Sequence, residues 1–299
     1  MLNIKQNQIE GEDASDITSF GQDVAPAGVQ FAGELSAFEV STRTPLTRKA
    51  MYDLADPESG LVGVNFPTFA LPGTCCAAMD VINAREAVEY KGPAEGTLST
   101  GSGTSAWEAR YPGIAPHEPD SAGSWGEYLD RVPDWDIDRE ALFASSFGGD
   151  PMESIINVLS TALGQPIERA VHPRFGRKMG MGLVRKGAPL AHFDFAQYDV
   201  GYNARGHIGI VLVLDAGPGA VQRAWNYQPE PDDDGNYDTF DYMLDPRLTG
   251  YIDVPTPVGC LSLLCARYIH EVKDIPDRRC TLAAHLAWLP DGDRWVIYA

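Results

Sequence analysis

The sequence of 299 residues predicts an α+β fold, with helices in the first half and an antiparallel sandwich or jelly roll in the second. Up to about residue 164 the apolar residues mostly recur with helical spacing. After Gln165 and Pro166, short runs of β-forming residues alternate with turn residues, and no amphipathic helix separates them. We therefore expect one domain over residues 28–299, with a helical part at about 42–164 and a jelly-roll core at about 165–299, after a flexible tail at 1–27.

The best-marked helix lies between Asp150, which can cap it, and Gly164, which can end it. Pro151 suits its first turn, and the apolar residues that follow recur every three or four positions. Other helices are predicted from Thr44-Pro45 to Asp53, over Cys75–Tyr90, and in pieces over Trp125–Phe147. No regular element is predicted between Asp56 and Thr74, where proline and glycine interrupt any period.

The predicted strands are short and bounded by turn residues. One, Val29–Val40, precedes the helices. Eight follow them: Lys178–Arg185, Ala191–Phe195, His207–Leu214, Val221–Tyr227, Gly250–Val254, Val258–Cys265, Thr281–Leu289 and Trp295–Tyr298.

Composition excludes some classes of partner. The formal net charge of −19 argues against binding to nucleic acid or to an anionic membrane, because both require clustered cations. No apolar run approaches the ~20 residues of a membrane-spanning helix, and no signal peptide is evident. Five cysteines in no disulfide-framework spacing favour reduced thiols. The sequence thus predicts a cytoplasmic protein with a small-molecule substrate, and leaves a homodimer open.

One constellation indicates chemistry. His192 and Asp194 are two residues apart on a predicted strand and would face the same side. With a distant histidine such as His270, they would form the two-histidine, one-carboxylate set that holds Fe(II) and leaves three positions open. A keto acid can take two of these and O2 the third. The far carboxylate of the acid needs a fixed cation; Arg279 suits it, and Thr281 on the same strand face can add a hydrogen bond.

Alternatives exist for two of these assignments. His285, on an apolar strand, is the rival of His270 as third ligand, and Arg278 is the rival of Arg279. The other histidines, His117, His172 and His207, are interpreted as structural. Four aromatic residues near the motif are candidates for a substrate pocket, although core packing explains each of them equally well. They are Phe193, Phe195, Tyr198 and Trp225.

The order His192-Phe193-Asp194, His270 and Arg279-Cys280-Thr281 resembles the Fe(II)/2-oxoglutarate-dependent oxygenases, whose core is a double-stranded β-helix, or jelly roll. The resemblance covers roughly residues 150–299. Within that superfamily the chain is most similar to the freestanding indole-alkaloid halogenases and their hydroxylating relatives, through the helix before the barrel, Trp225-Asn226 and the Arg-Arg-x-Thr segment. Those halogenases carry glycine where this chain has Asp194, so the resemblance favours a hydroxylase relative.

The resemblance implies that His192, Asp194 and His270 hold Fe(II) and that Arg279 and Thr281 bind 2-oxoglutarate, with O2 as the other co-substrate. It implies C–H hydroxylation, desaturation or ring closure of an amino acid or an amino-acid-derived natural product. Some relatives place a second arginine on the strand before the His-x-Asp motif.

The positions that correspond to this second arginine are Met181 and Gly182, with Arg177 or Arg185 as possible substitutes. Two other functions stay open. One is a cupin-like metal-dependent isomerase or lyase, and the other is a non-catalytic jelly-roll binding protein.

Overall fold

The computed structural model describes residues 39–40, 46–85, 87–89, 98–100, 122–186, 193–194, 202–225, 251–273 and 279–299. The predicted tail at 1–27 and most of the strand predicted at Val29–Val40 lie outside these ranges. The same holds for several residues singled out above: His117, His192, Phe195, Tyr198, Asn226 and Arg278. Among the described residues, no helix has both the length and the apolar content needed to cross a bilayer.

Four α-helices are described: α1 Arg48–Ala55, α2 Pro72–Asn83, α3 Ala122–Phe147 and α4 Pro151–Leu163. The prediction of α4 is confirmed, because the side chain of Asp150 accepts a hydrogen bond from the Met152 backbone N–H, and Gly164 ends the helix with a positive φ of 68°.

The other helices differ from the prediction at their ends. The cap of α1 is Thr47 rather than a residue before Pro45, since its hydroxyl accepts from the backbone N–H of Ala50. Helix α2 stops at Asn83, and the segment predicted as its last turn contains a short strand instead. Helix α3 runs through Pro133 without a break, whereas separate pieces were predicted.

Within the described ranges, thirteen strands form two sheets. Ten belong to the large sheet: β1 Glu39–Val40, β2 Gly63–Phe66, β3 Ala87–Glu89, β4 Leu98–Thr100, β5 Ile167–Arg169, β6 Leu183–Lys186, β7 Gly206–Asp215, β10 Leu261–Cys265, β12 Cys280–Leu289 and β13 Arg294–Tyr298. The small sheet contains β8 Val221–Trp225, β9 Tyr251–Pro255 and β11 His270–Lys273. The α+β class is confirmed by this arrangement.

The strand order of the large sheet is β1-β2-β10-β7-β12-β6-β4-β3, with β13 beside β12 and β5 beside β13. Strand β12 is long enough to pair with β7 along one side and with β6 and then β13 along the other. The small sheet has the order β11-β8-β9, and all its pairs are antiparallel.

The two faces of β7 have different surroundings, because successive side chains of a strand point to opposite sides. Every second residue is apolar and belongs to a core with α1, α2 and α4. The residues of β7 on this helix-covered face are Ile208, Ile210, Leu212 and Leu214. The opposite face looks towards the small sheet, because two buried hydrogen bonds connect the sheets. Ser262 on β10 donates to Gln222 on β8 at 2.7 Å, and Arg279 beside β12 donates to Thr256 beside β9 at 3.1 Å. The space between the sheets is called the interior below.

Five strands had no sequence prediction: β2, β3, β4, β5 and β11. The predicted strand Ala191–Phe195 is wrong for its described part, since Phe193 and Asp194 lie outside any strand. Asp194 is held instead through its backbone N–H, which donates to the carbonyl of Ala266 at 2.9 Å.

Candidate functional site

The centre of the candidate site is a buried histidine–aspartate pair. Asp194 and His270 are each 8% exposed, and their Oδ2 and Nε2 atoms are 3.5 Å apart. His270 begins β11 and shares the interior face of the small sheet with Ala224, its direct neighbour on β8. Thus two of the three predicted metal ligands meet in the interior, although 76 positions of sequence numbering, from 194 to 270, separate them.

The orientation of the His270 ring is fixed by its other nitrogen. Nδ1 lies 2.9 Å from the carbonyl oxygen of Tyr268, and a carbonyl can only accept, so Nδ1 carries the proton. In the neutral ring the lone pair of Nε2 would then point towards Asp194. Tyr268 is itself anchored, because its hydroxyl donates to the carbonyl of Pro57 at 3.1 Å. This is how metal-ligating histidines are usually held in proteins.

The spacing of the pair is compatible with one metal ion between the two groups. Ligand atoms that are each about 2.1 Å from an ion lie about 3.0 Å apart in octahedral geometry and about 3.4 Å apart in tetrahedral geometry. The observed 3.5 Å is close to this range and longer than a good direct hydrogen bond. Among the described residues no group of three histidine, cysteine, aspartate or glutamate side chains is placed to hold a metal. His192, the predicted third member, lies outside them.

Arg279 lies in the interior as a buried cation. It is 4% exposed, and its Nη1 atom donates to the hydroxyl of Thr256 at 3.1 Å. Burial lowers the pKa of Arg279 to about 10, while the nearby thiols of Cys260 and Cys280 oppose the shift, so the guanidinium is still charged at neutral pH. Within the part of the chain that the structure describes, no carboxylate forms an ion pair with it.

Thr281 is the second residue of β12, two positions after Arg279, and is also buried. The pairing of β12 with β7 shifts register between Cys280 and Thr281, which indicates a local bulge next to Arg279. On the neighbouring strand β6, the residue directly opposite Thr281 is Arg185. Directly paired residues of a sheet face the same side. Arg185 therefore lies on the interior face with Thr281.

The other predicted substitutes for a second arginine lie elsewhere. A Cβ on Gly182 would be 2.7 Å from Met152, so this position faces helix α4 and not the interior. Arg177 is engaged at the surface by the carboxylate of Asp130, 2.8 Å away, and donates to the carbonyl of Leu129. Of the two arginines that the sequence offered, only Arg185 shares a face with Thr281.

The predicted aromatic pocket is only partly described. Phe193 is half-buried next to Asp194. Trp225 lies on the outer face of the small sheet, because Ala224 faces the interior with His270 and the next residue points away from it. Its ring packs on Tyr251, and the guanidinium of Arg223 lies over both rings. Trp225 and His270 are therefore on opposite faces of the sheet.

A second group of rings, which the sequence did not predict as functional, is buried beside Asp194. The Nε2 atom of His207 is 3.0 Å from the hydroxyl of Tyr298, and the His285 ring stacks on Tyr298 and lies 5.0 Å from His207. Burial lowers the pKa of His207, and the charge and backbone of Asp194 act in the opposite direction. The imidazole is thus neutral at neutral pH. His207 and its partner Tyr298 are 91 residues apart in the sequence, so no local pattern could predict their contact.

Comparisons with known proteins give a fold but no family. No protein-family model matches the sequence, and no curated protein matches it. The structure is similar to that of an N-substituted L-amino acid dioxygenase from Burkholderia ambifaria, with a TM-score of 0.54 and 12% sequence identity over 84% of this chain and 91% of that chain. The complex of the same dioxygenase with α-ketoglutarate gives equal values. The α-ketoglutarate-dependent epimerase SnoN gives a TM-score of 0.40 at 13% identity, over 77% of this chain and 82% of that one. At 12% identity the likeness to the dioxygenase shows a shared fold.

Proposed function

We propose that the protein is an Fe(II)- and 2-oxoglutarate-dependent oxygenase with a double-stranded β-helix core. His192, Asp194 and His270 would hold the metal, and Arg279 with Thr281 would bind the far carboxylate of 2-oxoglutarate. The observation that carries the proposal is the buried guanidinium of Arg279, which lies in the same interior as the Asp194–His270 pair. An isolated buried cation costs several kcal/mol. A dicarboxylate ligand would remove that cost.

The chain's own residues have distinct roles in this proposal. His270 would offer Nε2 to the metal, because the carbonyl of Tyr268 holds the proton of the neutral ring on Nδ1. Arg279 can bind a carboxylate with two parallel hydrogen bonds, and Thr256 limits the directions in which its fork can point. Arg185 supplies a second cation on the same sheet face as Thr281. The proposed binding site for the far carboxylate would therefore have two positive charges near it. When bound, Fe(II) would activate O2 at the expense of the keto acid, which is released as succinate and CO2.

Hydroxylation of an unactivated C–H bond is the proposed reaction, with desaturation or ring closure as variants of it. Asp194 supports oxygenation over halogenation, because its carboxylate fills the coordination position at which the resembling halogenases have glycine. An amino acid or an amino-acid-derived compound is the proposed substrate class. The shared fold with a dioxygenase of N-substituted L-amino acids supports this class.

An anaerobic titration tests the proposal directly. Protein with Fe(II) is mixed with 2-oxoglutarate, and the visible charge-transfer band of a chelated keto acid is recorded. Succinate is the matched control, because it has both carboxylates but no ketone, and no band is expected with it. Iron binding without a band would refute the proposal and favour a metal-dependent isomerase or lyase. If neither iron nor 2-oxoglutarate bound, a non-catalytic binding protein would be favoured. A substrate screen that measures succinate release and product mass would then identify the reaction.

A further inference from the structure

His207, at the start of β7, lies close enough to Asp194 for the charge and the backbone of Asp194 to act on its pKa. The imidazole of His207 is 1% exposed and neutral, so it has one donor and one acceptor nitrogen. The hydroxyl of Tyr298 is 3.0 Å from Nε2, and it can donate to that atom. In the neutral ring the proton is then on Nδ1, and the charge and backbone of Asp194 act on this ring.

The backbone connects the same residues by a second route. The N–H of Asp194 donates to the carbonyl of Ala266 at 2.9 Å, and the N–H of Ala266 donates to the carbonyl of His207 at 3.0 Å. Asp194 lies outside any strand, and these backbone bonds connect it to the large sheet at the residue whose imidazole lies beside it. Nδ1 of His207 is buried and has no well-aligned hydrogen bond among the described residues, so it retains a donor for the Asp194 segment.

The ring of His207 has little freedom to move. Its plane is within 20° of the Tyr298 ring, and the His285 ring completes the stack. Tyr298 is fully buried on β13, the neighbour of β12, so the stack is supported by the centre of the large sheet. A rigid support of this kind is how proteins orient a metal-binding carboxylate.

We infer that His207 is a positioning residue that holds Asp194 in the direction required for metal binding, with its own ring fixed by Tyr298. The inference rests on the proposed function, since it requires a metal at Asp194. It assigns to His207 a part in the site, whereas the sequence alone gives it a structural role. His285 would support the stack and not act as a ligand.

The test compares two substitutions at one position. Asparagine can place an N–H donor where Nδ1 lies, whereas leucine cannot, and both leave space where the imidazole was. Co(II) is the probe, because its visible absorption reports both its affinity and its ligand geometry without turnover. H207L is expected to weaken Co(II) binding by about 10- to 100-fold, the usual effect of losing an outer partner of a ligand, and H207N to retain most of the affinity.

Two further variants separate positioning from general stability. Y298F removes only the hydroxyl that fixes the ring, and it should weaken Co(II) binding and alter the Co(II) spectrum. Y52F is the control: it removes a hydroxyl that binds the surface carboxylate of Asp293. It should leave Co(II) binding and the Co(II) spectrum unchanged. Thermal unfolding of the metal-free variants shows whether each is folded.

Equal losses in H207L and H207N, or no loss in either while the wild type binds Co(II), would overturn the inference and leave the proposed function intact. Failure of the wild type to bind Co(II) would overturn both.

Discussion

Replacement of Arg279 by methionine should uncouple affinity for 2-oxoglutarate from the stability of the protein. The guanidinium is a buried cation of the interior, and its removal would deprive the far carboxylate of the ligand of its proposed bidentate partner. Truncation of one member of a buried, hydrogen-bonded charge pair costs about 2–5 kcal/mol. At about 1.4 kcal/mol per factor of ten, the dissociation constant of 2-oxoglutarate should rise by about 30- to 4,000-fold.

The stability of the ligand-free protein should respond differently. Loss of the bond to the buried hydroxyl of Thr256 costs about 1–3 kcal/mol, whereas removal of an isolated buried charge recovers several kcal/mol. The free energy of unfolding without ligand is therefore expected to stay level or to increase. A structural arginine would give the opposite result, because its loss would destabilise the protein.

The assay is thermal or urea unfolding with Fe(II), across a series of 2-oxoglutarate concentrations under anaerobic conditions. Wild-type stability should rise with ligand concentration as binding linkage requires, and R279M should show this rise only at much higher concentrations. R279K, which keeps the charge but not the planar fork, should lie between them. An unchanged ligand dependence in R279M would refute the assignment and direct attention to Arg185.

Three further substitutions test other parts of the structure. H270A should abolish iron binding in equilibrium dialysis, whereas H285A should retain it; the reverse result would exchange the two assignments. G259A should lower the melting temperature far more than G219A: both glycines have a φ near +87°, but only at Gly259 would a Cβ lie 2.1 Å from a backbone oxygen. Similar melting temperatures would show that the loop relaxes. R139M should cost about 3–5 kcal/mol in urea unfolding, because a buried carboxylate loses its partner 2.8 Å away. A loss below about 1 kcal/mol would mean that water reaches that carboxylate.

Local signals predicted the elements whose residues determine their own structure. Helix α4 has its cap at Asp150, its stop at Gly164 and a one-sided apolar stripe between them, and all three features are present. Strands β7 and β12 were predicted because both of their faces are buried, which gives long apolar runs.

Strands that exist only through pairing could not be predicted. Strand β11 alternates His270 and Val272 with Glu271 and Lys273, and its charged face is explained by Arg223 on the neighbouring strand, which lies 3.8 Å from Glu271. Strand β2 lies in a segment that proline and glycine interrupt, and its partner β10 is distant in sequence. Each of these strands is therefore determined by the strand with which it pairs, and that partner lies in another part of the sequence.

The same contrast applies to the site. The pairing of Arg279 with Thr281 two residues later is a local pattern, and both side chains are buried as that pattern suggests. The support of Asp194 by His207 is not local. A histidine at the start of an apolar strand has the same sequence signal whether or not a tyrosine at the other end of the fold bonds to it.

The pairing of β2 with β10 has a consequence for how the protein reaches its native state. Strand β2 pairs with β10, and Asn65 on β2 donates to the carbonyl of Pro255 on β9, 190 residues further on, so this part of the large sheet closes only after residues up to about 265 have been made. During synthesis the apolar surface of the first helices stays exposed to solvent until the later strands have been made. Contacts between residues so distant in sequence slow folding and prolong the exposure of aggregation-prone apolar surface. We therefore expect slow folding and a dependence on chaperones. A fragment that begins after residue 165 should not fold, even though it contains every residue of the predicted motif.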